Sequence, residues 1–336
     1  MSHGFALDTL VEILKAAAEP TRLRVLVLLS SGDLTVTDLT EILGQSQPRI
    51  SRHLKLLSEA GLIERYQEGA WAWFRLRRDG AAAELVANII ASASQQDSVM
   101  ARDQARLASV RVARAERAQL YFSRNAAGWD ELRKLYVSEE TVEKALKSMV
   151  GERPVDSFLD LGTGTGRLLQ LFENVYRRGT GIDASREMLS VARANLERAG
   201  ISKATIRLGD IFNLPLESDQ FDLVTIHQVL HYLEDPEGAI REAARMLRPS
   251  GRLVVVDFAP HELESLRSEH HHARLGFSKE LMRSWLEKAE LELVEVRDLE
   301  PEPGKGALTV TIWLARDRRI EIADELPQSA AAGRRV

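Results

Sequence analysis

The chain has 336 residues, 44% of them hydrophobic, a net charge of −5 and no cysteine. That length accommodates two compact domains with connecting helices. No run approaches the ~20 consecutive apolar residues of a membrane-spanning helix and no basic-then-apolar leader is visible, so a cytoplasmic protein with no membrane partner is expected. The missing cysteines exclude disulfides, thiolate metal sites and cysteine nucleophiles, and the acidic balance requires any nucleic-acid contact to come from a local basic surface.

In chain order, Leu7, Leu10, Val11 and Leu14 recur at helical spacing. Pro20 stands near the start of a second helix running from Thr21 to Leu29. Thr35-Val-Thr-Asp38 has the spacing of a capping box and opens a short helix that turns Leu39, Ile42 and Leu43 inward, with Gly44 permitting a sharp exit. Ser46 or Gln47 begins the next helix, with Pro48 in its first turn, where a missing N–H costs little. Ile50, Leu54 and Leu57 form its apolar face, Arg49, Ser51, Arg52 and Lys55 lie largely elsewhere, and Gly61 stops it. Two helices joined in this way make a helix-turn-helix whose second helix can present cationic and hydroxyl groups to a major groove. Two β-rich runs follow, from Leu62 to Tyr66 and from Trp71 to Leu76, with Gln67 to Ala70 as the loop of a hairpin, or wing.

The stretches EPTRLRVLVLL, TVTDLTEIL and SQPRISRHLKLLSEAGLIERYQEGAWAWFRL resemble the ArsR/SmtB winged-helix repressors from about Leu7 to Leu76. The resemblance implies transcriptional regulation, binding to double-stranded DNA and a homodimer. It does not extend to metal sensing through thiolates, because positions 37–40 read Thr-Asp-Leu-Thr. Gln47, Arg49, Ser51, Arg52 and Lys55 are the candidate DNA contacts, with phosphates supplying affinity and Arg49 and Arg52 reading base edges. Taken alone, Arg49, Arg52 and Lys55 fit a solvated helix face equally well. Glu68 at the wing tip, with no Lys or Arg beside it, argues against deep wing contacts to phosphate.

From Ala81 to Ser94, Leu85, Ile89 and Ile90 make an apolar stripe, and the resemblance implies that this helix joins the N-terminal helix in a dimer interface. Two recognition helices about one DNA turn apart would then read a palindromic operator. Arg102, Arg106, Arg111, Arg114 and Arg117 make the next helix basic, either as a solvated connector or as a contact to flanking phosphates. Tyr121, Phe122, Trp129 and Tyr136 would dock it on the following domain.

The run VDSFLDLGTGTGRLLQLF is the most specific signal: an apolar strand from Val155 to Leu161, Asp160 near its end, then Gly162, Thr163, Gly164 and Gly166 before a helix. Glycines let the backbone turn tightly and approach a ligand. Arg167 stands where a dinucleotide fingerprint needs its third glycine, and no Lys-Ser/Thr follows as in a P-loop, so pyrophosphate is not the preferred ligand. Asp160 instead suits an ammonium or sulfonium group. Asp183 ends a second strand, where a carboxylate can accept both ribose hydroxyls. Runs ending in Leu208-Gly-Asp210, His227 and Phe258 supply three more strands, with a turn at Gly251, and Leu291 to Leu299 with Ala307 to Leu314 read as an antiparallel pair.

From about Tyr121 to Leu314 this pattern resembles the class I S-adenosylmethionine-dependent methyltransferases, and among them the ubiquinone/menaquinone group. The resemblance implies a Rossmann-like α/β domain with a seven-stranded, mostly parallel sheet, and S-adenosylmethionine or S-adenosylhomocysteine as cofactor. It implies cofactor binding by Asp160, Gly162, Thr163, Gly164, Gly166, Asp183, Ala184, Asp210, Ile211 and His227, with Asp210 on the adenine amine, Ile211 against the ring, and the aromatic segment before the domain as a lid. His227 and His231 are the catalytic candidates, although either fits an ordinary loop histidine. His270, His271 and His272 point in different directions on a helix, so a polar substrate cap is expected and no metal.

The expected organisation is therefore a two-domain chain: an α+β winged helix over residues 1–80, helices over 81–150, the α/β domain over 151–317, and a tail over 318–336 whose end is disordered. Two functions fit. One is a regulator that senses the cofactor through the helices between Ala81 and Val150; the other is a transferase acting on an unidentified small-molecule methyl acceptor, with an accessory winged helix. A nucleic-acid methyltransferase is disfavoured, since no N/D-P-P-Y/F tetrapeptide occurs and cytosine carbon methylation needs a cysteine.

Overall fold

The computed structural model describes residues 5–68, 71–77, 80–94, 97–126, 139–301 and 308–319. Two folds follow one another: an N-terminal helix-turn-helix unit with a small sheet, and an α/β unit built on a seven-stranded sheet.

The first unit comprises α1 (Leu7–Ala17), α2 (Pro20–Leu29), β1 (Leu34–Thr35), α3 (Val36–Leu43), α4 (Gln47–Glu59), β2 (Ile63–Glu68) and β3 (Trp71–Leu76). The predicted capping box is formed: Thr35 Oγ1 accepts from the Asp38 N–H at 3.2 Å, while Asp38 Oδ2 accepts from the Thr35 N–H at 2.9 Å. Two otherwise orphaned donors are thereby satisfied, and Gly44 ends α3 in the left-handed conformation. Leu39, Ile42, Ile50, Leu54 and Leu57 are wholly buried, as their spacing requires. In α1 the predicted stripe does not enter this core. Ile13 and Ala17 do, while Leu7, Val11 and Leu14 stay exposed.

The wing is tighter than its sequence suggests, because Gln67 and Glu68 pair with Ala72 and Trp71 as strand residues. Only positions 69–70 then connect β2 to β3, and they lie outside the described residues. The opposite edge of β3 carries β1, through Leu34–Phe74 and Thr35–Trp73.

Two helices lead onward, α5 (Ala81–Ala91) and the 28-residue α6 (Ser98–Asn125). Leu85, Ile89 and Ile90 are half-buried against the first unit's core. Two arginines of α6 bond within the chain, while Arg102 is exposed, as a solvated connector requires. Arg106 Nη1 donates to the Ile42 carbonyl at 3.0 Å, and Arg111 Nη2 donates to that of Ser31 at 2.6 Å. Arg24 clamps the buried Asp103 with two bonds of 2.5 and 2.7 Å. Bidentate guanidinium–carboxylate pairs fix orientation as well as distance, so α6 is a strut bolted to the helix-turn-helix. The side chains of Arg114, Arg117 and Tyr121, together with Trp129 and Tyr136, lie outside the described residues.

The second unit runs α7 (Glu139–Val150), β4 (Val155–Leu161), α8 (Arg167–Leu171), β5 (Tyr176–Asp183), α9 (Arg186–Arg198), β6 (Ala204–Leu208), β7 (Phe221–His227), α10 (Pro236–Met246), β8 (Leu247–Phe258), α11 (Ser265–His270), α12 (Lys279–Lys288), β9 (Leu291–Leu299) and β10 (Val310–Asp317). The strand order is β6-β5-β4-β7-β8-β10-β9, parallel except for β10, which pairs antiparallel with both neighbours. Successive residues feed cores on opposite faces, as period-2 side chains on a doubly covered sheet must. Val254, Val256 and Phe258 go to one core, and Leu253 and Val255 to the other. The predicted turn at Gly251 is an irregularity inside β8: Ser250 takes a positive φ of 62°, and β7 pairing jumps from Phe221–Leu247 to Leu223–Arg252.

Candidate functional site

A cavity of about 1060 Å³ opens beyond the carboxyl ends of β4, β5, β6 and β7. In this order the chain reverses direction across the sheet between β4 and β7, and crevices at such switch points are where open α/β sheets receive ligands.

The loop after β4 forms its floor. Gly162 and Thr163 donate their N–H groups to the Ile182 carbonyl at 2.8 and 2.9 Å, pinning the loop to the end of β5. Gly162 has a φ of 68°, and a Cβ there would lie 2.3 Å from Val229 Cγ2, so neither the backbone nor the space admits another residue. Beneath the loop, buried Asp160 accepts from Thr163 Oγ1 at 2.7 Å and from Thr225 Oγ1 at 2.6 Å. At the tip of β5, Asp183 accepts from the Gly164 N–H at 2.8 Å and the Ser185 N–H at 2.9 Å while lining the cavity. Burial raises its pKa above the ordinary carboxylate value, against the pull of the Ser185, Gly164 and Ala184 backbone donors.

The histidines divide. His227 lines the cavity. His231 is wholly buried and does not line it; its Nδ1 meets Asp257 Oδ1 at 2.8 Å, and its ring packs on Tyr232, Phe258 and His272. The helix expected over the histidine triplet stops at His270, His271 caps it with φ 59°, and His271 and His272 line the cavity. Among the described residues no group of His, Asp or Glu is arranged to hold a metal ion.

On the outer face of α4, Gln47, Arg49, Ser51, Arg52 and Lys55 are all exposed, Lys55 lying 3.7 Å from Glu59. His53, on the buried side, approaches Glu19 at 3.6 Å, and Glu19 caps α2 by accepting from the Arg22 N–H at 2.9 Å.

Residues 19–65 match the model of the bacterial regulatory proteins of the ArsR family, and residues 159–255 match a methyltransferase domain model. The chain joins an ArsR-type helix-turn-helix to a methyltransferase domain. The uncharacterized methyltransferase YcgJ of Bacillus subtilis is 30% identical over 142 residues, which is 42% of this chain and 55% of that protein. The ubiquinone/menaquinone biosynthesis C-methyltransferase UbiE of Vibrio parahaemolyticus is 35% identical over 120 residues, 34% of this chain and 46% of UbiE. The chain thus spans about half the length of these relatives. The crystal structure of B. subtilis YcgJ aligns with a TM-score of 0.48 at 19% identity, over 54% of this chain and 100% of that one.

Within the methyltransferase domain the fold gathers Asp160, Gly162, Thr163, Gly164, Asp183, Ala184, Asp210, Ile211 and His227 around the cavity. Gly166 sits behind it at the start of α8, packed on Ala192. Part of the lining comes from the helix-turn-helix unit and its strut: Phe122, which the sequence reading expected to dock there, and Trp71, Trp73, Arg111 and Val112, which it missed. Phe122 meets Tyr232 edge-on at 4.7 Å. Below the wall, buried Arg274 ties the wing to the methyltransferase domain. Its Nη1 donates to Tyr66 Oη at 2.7 Å, its guanidinium lies 4.0 Å over the Trp73 ring, and Tyr66 Oη donates to Asp33 Oδ2 at 2.6 Å. Burial raises the Tyr66 pKa, keeping the hydroxyl proton that this relay uses. The alternation Trp71-Ala-Trp73 was the available signal, since it puts two indoles on one face of the wing.

Proposed function

We propose that this chain is a DNA-binding transcriptional regulator whose methyltransferase domain binds S-adenosylmethionine or S-adenosylhomocysteine and reports that occupancy to the wing. One observation carries the reading: a single cavity is lined both by the glycine loop and Asp183 and by Trp71 and Trp73 of the wing. Coupling requires a ligand to interact differently with two states of the protein. A ligand whose cavity has the wing as a wall meets that requirement directly, without the longer route through α5 to α7.

The residues fit such a ligand. The Gly162 turn has no room for a Cβ and brings bare backbone to the cavity. Asp183 has both oxygens at the β5 tip, Oδ2 accepting from the Gly164 N–H and Oδ1 from the Ser185 N–H, and a carboxylate's four lone-pair sites leave capacity for a ribose hydroxyl. Asp210 and Ile211 would take the adenine amine and ring, and Asp160 adds negative charge under the amino-acid end. Bound there, S-adenosylmethionine supplies a sulfonium methyl group for in-line displacement, in which alignment and exclusion of water do most of the work. His227 is the cavity-facing group placed to hold or accept an acceptor's proton. His231 acts behind it, with its imidazole held on Asp257. Outside the cavity, the α4 face would contact operator phosphates and bases, and the exposed Leu7, Val11 and Leu14 stripe supports a homodimer on a palindromic site.

The cavity volume favours a second reading alongside the first. At about 1060 Å³ it slightly exceeds the ~300–1,000 Å³ of single-ligand pockets, which leaves room for a small methyl acceptor beside the cofactor. The test selects an operator from random duplex DNA with the full-length chain, then measures its affinity with and without saturating S-adenosylmethionine or S-adenosylhomocysteine. We expect a change of about fivefold or more. Calorimetric binding of either ligand without any change in operator affinity removes the sensing role; no calorimetric binding removes the cofactor.

A further inference from the structure

We propose that the wing is part of the acceptor site: Trp71 of β3, backed by Trp73, contacts the methyl acceptor, which is a flat, largely apolar molecule. The proposal rests on the methyl-transfer reading above and adds the acceptor's chemical class and the domain that binds it.

Four observations converge. Trp71 and Trp73 occupy alternate positions on one face of the strand, with ring centroids 6.5 Å apart and planes within 27°. They line the same cavity as the glycine loop, so a molecule that fills the cavity alongside the cofactor meets this wall. Phe122 and Tyr232, already in edge contact, add aromatic surface to the same cavity. Aromatic walls select flat apolar partners because stacking and edge contacts contribute beyond area burial.

The fourth observation concerns exposure. Trp71 is 39% exposed, so its ring is not used up in filling the core of the first unit and keeps surface for a ligand.

The guanidiniums of Arg267 and Arg274 lie over Trp71 and Trp73 at 5.2 and 4.0 Å. Each guanidinium comes from the segment around α11, so the indoles are held in position by the domain they face. An acceptor seated there touches the wing itself, and its arrival is coupled to operator binding more directly than that of the cofactor.

The experiment uses the full-length chain saturated with S-adenosylhomocysteine and two probes of similar size, planar 2-naphthol and non-planar 2-decalol, followed by calorimetry. Wild type should bind 2-naphthol at least about tenfold more tightly than 2-decalol. Trp71→Ala should weaken 2-naphthol about tenfold and Phe122→Ala about fivefold, each through lost ring contact, both leaving S-adenosylhomocysteine affinity within twofold. If wild type binds S-adenosylhomocysteine but not 2-naphthol, or if both variants bind 2-naphthol as wild type does, the acceptor assignment is overturned while the cofactor reading stands. If both variants lose S-adenosylhomocysteine as well, Trp71 and Phe122 belong to the cofactor site and the assignment is again overturned. If wild type fails to bind S-adenosylhomocysteine, it is the underlying reading that fails.

Discussion

The two elements of the winged helix that face DNA in such folds are treated in opposite ways here. The polar groups of α4 point outward, and its apolar groups, Ile50, Leu54 and Leu57, bury into the first unit alone. The wing shares its fate with the other domain: Tyr66 and Trp73 are gripped by Arg274, 208 residues beyond Tyr66, and Trp71 lies under Arg267. On the proposed reading, α4 would set how tightly DNA is held, and the wing would be where the cavity makes that affinity conditional. Removing one element should cost affinity without conditionality, and releasing the other should do the reverse.

The largest effect is expected on α4. Base-edge contacts by arginine contribute about 1–3 kcal/mol each, so Arg49→Ala with Arg52→Ala should lower operator affinity about a hundredfold or more, with calorimetric cofactor affinity unchanged. Equal loss on operator and random DNA would assign both side chains to phosphates.

Asp183→Asn comes next. Hydrogen bonds to a charged group contribute about 1.5–3 kcal/mol, so S-adenosylhomocysteine affinity should fall about tenfold to a hundredfold, while operator affinity of the ligand-free chain holds. If cofactor affinity stays put, Asp183 serves only its bonds to Gly164 and Ser185.

Arg274→Met should change neither basal affinity greatly, yet the ratio of operator affinities with and without ligand should fall to near one. Melting temperature should also drop, because Tyr66 and Asp33 lose a buried cation. An unchanged ratio would move the coupling to the α6 strut, where Phe122 meets Tyr232.

These contrasts also mark what the amino-acid order revealed. The Thr35–Asp38 capping box, the faces of α4, the β4–glycine loop–α8 unit and Asp183 are local or short-range features, each fixed by spacing within a helix or strand, and each was legible. What escaped were contacts between residues far apart in the chain. Nothing in an arginine-rich helix says that Arg106 and Arg111 will bond to the carbonyls of Ile42 and Ser31. Nothing around His231 marks Asp257 as its partner across two adjacent strands' ends. The exposed stripe of α1 obeyed helical periodicity but does not face this chain's own core, because periodicity identifies an apolar face without saying what covers it.

The smallest expected effect is acid sensitivity, and it follows from the same junction. Burial lowers the His261 pKa to about 4, helped by repulsion from His231 and Arg267 and opposed by Asp257, and burial lowers that of His272 as well. In the unfolded chain both titrate near 6.5. Above that value neither state binds these protons and the fold loses nothing. As pH falls below it, the unfolded chain takes up protons that the folded chain refuses, so stability declines until the folded-state value is reached. Denaturant unfolding at pH 7.5 and pH 5 should therefore show a lower midpoint in acid, and His261→Asn with His272→Asn should flatten the difference. His272 lies two residues before Arg274, and the Ala273 and Arg274 N–H groups both bond to the His231 carbonyl, at 2.8 and 3.0 Å. Acid favours any local opening in which these histidines can take up protons, and so loosens the segment that grips the wing; ligand control of operator binding should therefore fade at pH 5 before the recognition helix loses its hold on DNA. If the double variant keeps the wild-type difference in midpoint, these histidines do not carry the acid response, and the junction is no weaker in acid than the rest of the fold.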